Sequence, residues 1–96
     1  MINYYEKITK HLDLGEEATA FFLEKGKNIV ESNEEKIKNL IDLYYEKGCE
    51  YPAISEQVEK FAEDLGEHVY VVNYIFFACA AQRLEKLYEE KNLDKQ

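Results

Sequence analysis

Apolar residues recur along this chain at helical spacing. Over residues 2–12, Tyr5, Ile8 and Leu12 fall on one side of a helix, which Asp13-Leu14-Gly15 then breaks. A second helix is expected from about Glu16, because Glu16 and Glu17 suit the positive end of a helix. It carries Ala18, Phe21, Phe22 and Ile29 towards the core, and Gly26 lies inside it because Ile29 and Val30 need a buried face. Ser32-Asn33-Glu34-Glu35 fits a capping box, in which Ser32 accepts from the backbone and Glu35 reaches back, so Ser32 is read as the next helix start. The third helix shows Ile37, Leu40, Ile41 and Tyr44 at i, i+3, i+4 and i+7, and Gly48 ends it as a left-handed cap. Pro52 fixes a loop over residues 49–53. Ser55 then caps a short helix with Val58, Phe61, Ala62 and Leu65 inward, which Gly66 stops. The last helix is expected from about Glu67 to Lys91, with Asn92 as its cap. No segment alternates with a period of two between hairpin turns, so no strand is expected.

The last helix departs from the pattern of the others. Residues 69–81 are apolar on every side, broken only by Asn73, and a charged amphipathic tail over residues 82–92 follows. A helix that is apolar all round must be covered all round. The expected fold is therefore all-α: a compact bundle of about five helices around a long hydrophobic C-terminal helix, in which the other helices cover the last one or leave part of it for a partner. The apolar run is too short to span a bilayer and leads directly into charge, so it is read as a buried helix.

Composition narrows the picture further. Ninety-six residues, 46% hydrophobic with one proline, are expected to make a single folded helical domain. Twenty acids against twelve bases leave a net charge of −8, which argues against nucleic acid and against anionic membranes as partners. Cys49 and Cys79 have no metal-ligand spacing and are too few for a disulfide framework. They are read as free thiols in a reducing, cytoplasmic setting. The first ten residues, MINYYEKITK, contain no apolar signal-peptide core.

The side chains that could carry chemistry are sparse. His11 and His68 lack a second ligand at i+3 or i+4, apart from Asp64 four residues before His68, which is read as an ion-pair or cap partner; no metal is expected. Glu59, Glu63 and Glu67 line one face of the fourth helix, opposite Val58, Phe61 and Leu65, and are read as solvated. Nucleophile–base sets, Gly-rich phosphate loops and acyl-CoA pyrophosphate loops are missing from the sequence, so no catalytic residue and no cofactor are assigned. Eight tyrosines and no tryptophan suit a half-buried seam, with rings packed and hydroxyls wet or hydrogen-bonded, at a core edge or at an interface where tyrosine is enriched. Asn73, as a buried amide, needs a partner such as a backbone carbonyl or a tyrosine hydroxyl. The candidate interface consists of Tyr70, Asn73, Tyr74, Phe77, Arg83 and Tyr88, facing another protein domain or a second copy.

One stretch carries a family resemblance. It comprises Pro52-Ala53-Ile54-Ser55, then Phe61-Ala62-Glu63-Asp64-Leu65-Gly66-Glu67-His68, the apolar run 69–81, and finally Arg83-Leu84-Glu85-Lys86-Leu87-Tyr88-Glu89-Glu90-Lys91-Asn92-Leu93. Over roughly residues 35–93 the chain resembles the helical N-terminal domain of bacterial GNAT-like acyltransferase proteins. There, a short helix ending in Leu-Gly leads into a long hydrophobic helix that closes on Leu-Tyr-x-x-Lys-Gly-Ile; Asn92 stands here where the family tends to have Gly. The resemblance implies a non-catalytic accessory domain, expected to be a fragment or solitary relative, that packs against an acyltransferase-like domain. Acyltransferase activity would need that further domain, and no catalytic residue is carried over.

Overall fold

The computed structural model of the chain describes the backbone of residues 1–94 and the side chains of residues 1–90. Five α-helices follow one another: α1 (Ile2–His11), α2 (Glu16–Ser32), α3 (Glu34–Glu46), α4 (Ser55–Leu65) and α5 (Val69–Asp94), with a 3-10 turn at Tyr51–Ala53 leading into α4. No strand occurs among the described residues, and the protein is all-α. α5 touches each of the other four helices, so it forms the common wall of the core. That core gathers Tyr5 from α1, Ile29 and Val30 from α2, Ile37 and Ile41 from α3, Val58 and Phe61 from α4, and Val72, Ile75 and Phe76 from α5.

Local chemistry explains most of the boundaries. α3 and α4 both end on a left-handed glycine, Gly48 (φ 77) and Gly66 (φ 68). After each, the chain folds back onto the helix. Cys49 N–H donates to the Tyr44 carbonyl and Gly48 N–H to that of Tyr45, while Glu67 N–H donates to Ala62 and Gly66 N–H to Glu63. These are the paired bonds of a Schellman motif, which satisfy carbonyls that the helix itself leaves free. Ser55 is the first residue of α4 rather than its cap, and its hydroxyl donates to the Pro52 carbonyl at 3.2 Å.

Four further expectations are corrected. The capping box at Ser32 does not form: α2 runs through Ser32, and a single residue, Asn33, separates it from α3. Asn33 Nδ2 donates instead to the Ile29 carbonyl at 2.9 Å, so the side chain closes α2 rather than opening α3. On α1 the inward residue of the last turn is Thr9, fully buried, and Leu12 is exposed. Phe21 also points outward, leaving Phe22 to pack. Finally, α5 starts at Val69 and its backbone continues helically past Asn92 to Asp94, so Asn92 caps nothing.

A polar thread crosses the core. The Tyr5 hydroxyl donates to the Phe22 carbonyl at 2.7 Å, and the Tyr74 hydroxyl donates to Thr9 Oγ1 at 3.1 Å. The two tyrosine rings meet edge to face at 6.1 Å. No buried side-chain nitrogen or oxygen among the described residues lacks a partner, as expected of a packed interior.

Candidate interaction surface

The packing of α1 to α4 does not cover α5 all round. At 3.6 residues per turn, positions 70, 77, 81, 84 and 88 fall on one narrow stripe. Along it Tyr70 is 75% exposed, Phe77 40%, Leu84 54% and Tyr88 68%; Leu87, 45% exposed, lies off the stripe on the side of Phe76. The opposite side of the same helix, through Val72, Ile75, Phe76 and Cys79, is buried. The stripe runs for roughly 27 Å at 1.5 Å per residue.

Its two halves differ. The first half is flanked by aromatic rings of the bundle. On one side the Phe22 ring packs on Tyr74, with centroids 4.1 Å apart, and on the other Tyr51 packs on Phe77 at 5.5 Å. The Tyr51 hydroxyl donates to Asn73 Oδ1 at 2.6 Å, which provides Asn73 with its partner from the 3-10 turn. The second half projects, with every residue from position 84 to 90 exposed. Tyr4 is its brace: the hydroxyl donates to Glu85 Oε2 at 2.8 Å, and burial, together with the Glu85 carboxylate, pushes the phenol up to about 12. Leu84, Glu85, Leu87 and Tyr88 outline a shallow apolar depression there.

Of the six residues singled out from the sequence, Tyr70, Phe77 and Tyr88 lie on the stripe. Asn73 and Tyr74 border it, half-buried and already hydrogen-bonded within the bundle. Arg83 is turned towards α3, ion-paired with Asp42 and with its guanidinium over the Tyr45 ring at 4.8 Å. Sequence reasoning did not single out Leu84. The signal was present, because Tyr70, Phe77 and Leu84 repeat every seven residues.

Several other titratable groups have local partners. His68 Nδ1 accepts the Tyr70 N–H at 3.2 Å and its ring stacks on Tyr70 at 4.8 Å, so it caps α5 rather than pairing with Asp64. Asp64 pairs with Lys36 at 3.6 Å, and Glu67 pairs with Lys25 at 2.5 Å. Cys49 and Cys79 are both free thiols, the first exposed and the second buried. Burial pushes the Cys79 thiol up to about 12 and keeps it protonated. Among the described residues no three His, Cys, Asp or Glu side chains are grouped to hold a metal ion, and no helix is long and apolar enough to cross a membrane. No family model, curated protein or solved structure matches the chain.

Proposed function

We propose that this chain is a non-catalytic helical interaction module, which docks another protein surface along the exposed stripe of α5. The observation that carries this reading is a continuous apolar stripe, Tyr70 to Tyr88, left in water on the helix that otherwise forms the wall of the core. Contiguous apolar patches on a monomer often mark interaction sites. Tyrosine, phenylalanine and leucine set in a row on a rigid helix are the anchors of helix-to-surface recognition. The free thiols Cys49 and Cys79 support a cytoplasmic setting for the module.

The resemblance to acyltransferase N-terminal domains supplies a second reading, in which the docked surface is an acyltransferase-like domain. Its support here is that Leu87 and Tyr88, from the Leu-Tyr pair of that ending, are both exposed on the projecting part of α5. Reading the gene beyond the Gln96 codon tests it; a stop codon there counts against it.

The primary reading is tested by placing a photo-crosslinking amino acid at Leu84 or Tyr88 in the protein as its own host makes it, with Lys60 as a control on α4. A discrete adduct of defined mass at Leu84 and Tyr88, absent at Lys60, is expected. No adduct at either stripe position overturns the proposal.

A further inference from the structure

We propose that the cavity between α3 and α5 is a binding site for a phosphoryl group, held by Lys38, Arg83 and Lys86. The site is independent of the stripe. At 3.6 residues per turn, Cys79, Arg83 and Lys86 fall on the side of α5 opposite Tyr70 and Phe77.

The register of the two helices brings the cations together. α3 and α5 run antiparallel along a seam. The Tyr44 ring meets Phe76 at 5.5 Å, the Tyr45 hydroxyl donates to the Ala80 carbonyl at 2.8 Å, and Asp42 pairs with Arg83. Lys38 lies one turn before Asp42, and Lys86 one turn after Arg83. Following the seam by that turn leads to Lys38 from one helix and Lys86 from the other. Both line, with Arg83, a cavity of about 330 Å³.

The charge of this cavity is opposite to that of the chain. Twenty acids face twelve bases in the whole sequence, yet three bases and a single acid, Glu34, line the cavity. The Met1 amino group engages Glu34 at 3.7 Å, and Arg83 engages Asp42. The carboxylates one turn to either side of Lys38 thus have other partners. Neither Lys38 nor Lys86 has an ion-pair partner among the described residues. Like charges gathered at one cavity repel, and an anion between them turns repulsion into attraction. The net charge of −8 does not prevent this, because salt at physiological strength screens charges beyond about 8 Å. A bound anion responds chiefly to the side chains that line its cavity.

The donors select the anion. Lysine and arginine side chains only donate hydrogen bonds, so the ligand must be rich in acceptors. The three cations come from two helices rather than from one edge. A phosphoryl group has three terminal oxygens in a tetrahedral array and a charge of about −1.5 to −2, so it can accept from all three. A carboxylate offers two coplanar oxygens. Arg83 is set in place beforehand: Asp42 holds it, its guanidinium lies over the Tyr45 ring at 4.8 Å, and further N–H donors remain. Ile41 and Cys79, both buried, supply an apolar floor. The volume of about 330 Å³ is at the small end of the roughly 300–1,000 Å³ of small-molecule sites, room for a phosphoryl group with a short organic part. Free phosphate and a small phosphate monoester share this chemistry.

Titration of the whole chain with inorganic phosphate, followed by amide NMR at constant ionic strength set with sodium chloride, tests the proposal. Phenyl phosphate serves as the second ligand. Saturable shifts are expected around residues 38, 79, 83 and 86. Lys38→Gln and Lys86→Gln should each weaken binding about 10-fold, the loss of one charge-assisted hydrogen bond. Lys60→Gln, on α4, should leave the affinity unchanged, and the dispersion of each spectrum shows that the variant is folded. Tighter binding of phenyl phosphate identifies a monoester as the ligand, and equal binding identifies free phosphate; both bear the proposal out. Shifts that never saturate, shifts that sodium chloride alone reproduces, or an affinity indifferent to both lysine variants overturn it.

Discussion

The ring of Tyr5 fills the space where Gly26 has no side chain. A Cβ built on Gly26 would lie 1.9 Å from Tyr5 Cε1 and 2.6 Å from Cδ1 and Cζ. A glycine inside an exposed helix is a weakness, and alanine there gains about 0.5–1 kcal/mol. Here the sign reverses. The Tyr5 ring is buried and tied to the Phe22 carbonyl, so it has nowhere to move, and overpacking of this kind costs about 1–3 kcal/mol. Gly26→Ala is expected to lower the free energy of unfolding in urea by that amount. In a Tyr5→Leu background the same substitution should cost clearly less, because neighbouring sites couple. An undiminished cost in that background would mean that the ring is not what excludes the methyl.

The Tyr51–Asn73 hydrogen bond pins the 3-10 turn to α5. Tyr51→Phe keeps the ring contact with Phe77 and removes only the donor, so a loss of about 0.5–1.5 kcal/mol is expected. Asn73→Ala should cost a similar amount, and the double variant less than the sum. A double-mutant cycle followed by chemical denaturation measures the coupling.

Stability is expected to fall at alkaline pH, beginning near pH 9. Cys79 has an ordinary value of 9.0 and is pushed up to about 12 by burial; Tyr4 moves from 10.0 to about 12, and burial also raises Tyr5. For such groups the unfolded chain releases its proton first. The native state is thus fully favoured below the unfolded value and loses that advantage as pH rises towards the folded value. Thermal melts between pH 8 and 11 should show the decline, and Cys79→Ala should flatten its earliest part. A melting temperature that stays level across that range would contradict the burial of these groups.

Residues of the stripe should matter little to the folding of one copy. Leu84→Ser and Tyr88→Ser, both on the projecting half, are expected to change the unfolding free energy of the monomer by less than about 0.5 kcal/mol. Phe76→Ala, one residue before the stripe's Phe77 but fully buried, should cost about 3–5 kcal/mol. Urea titrations at concentrations low enough to keep the chain monomeric make the comparison. A large loss from Leu84→Ser would mean that the projecting half packs on its own bundle.

By itself, the sequence determined the helical class, the breaks at Gly48 and Gly66, and the inward face of α3 through Ile37, Leu40 and Ile41. Each of these depends on a few neighbouring residues: a period, or a glycine that can turn left-handed. Ser32 shows where such reasoning stops. Its capping box was locally sound, but the packing of Ile29 and Val30 in the core keeps α2 helical through Ser32. Leu12 and Phe21, apolar and correctly spaced, lie outside while Thr9 lies inside, because the packing of α1 and α2 on each other and on α5 selects the buried residues. The same holds for α5. Its composition said that residues 69–81 needed cover on every side; only the tertiary structure decided which side stays bare. Periodicity is a property of one backbone and can be read from it. Coverage is a property of non-local contacts, and here those contacts run out along the line from Tyr70 to Tyr88.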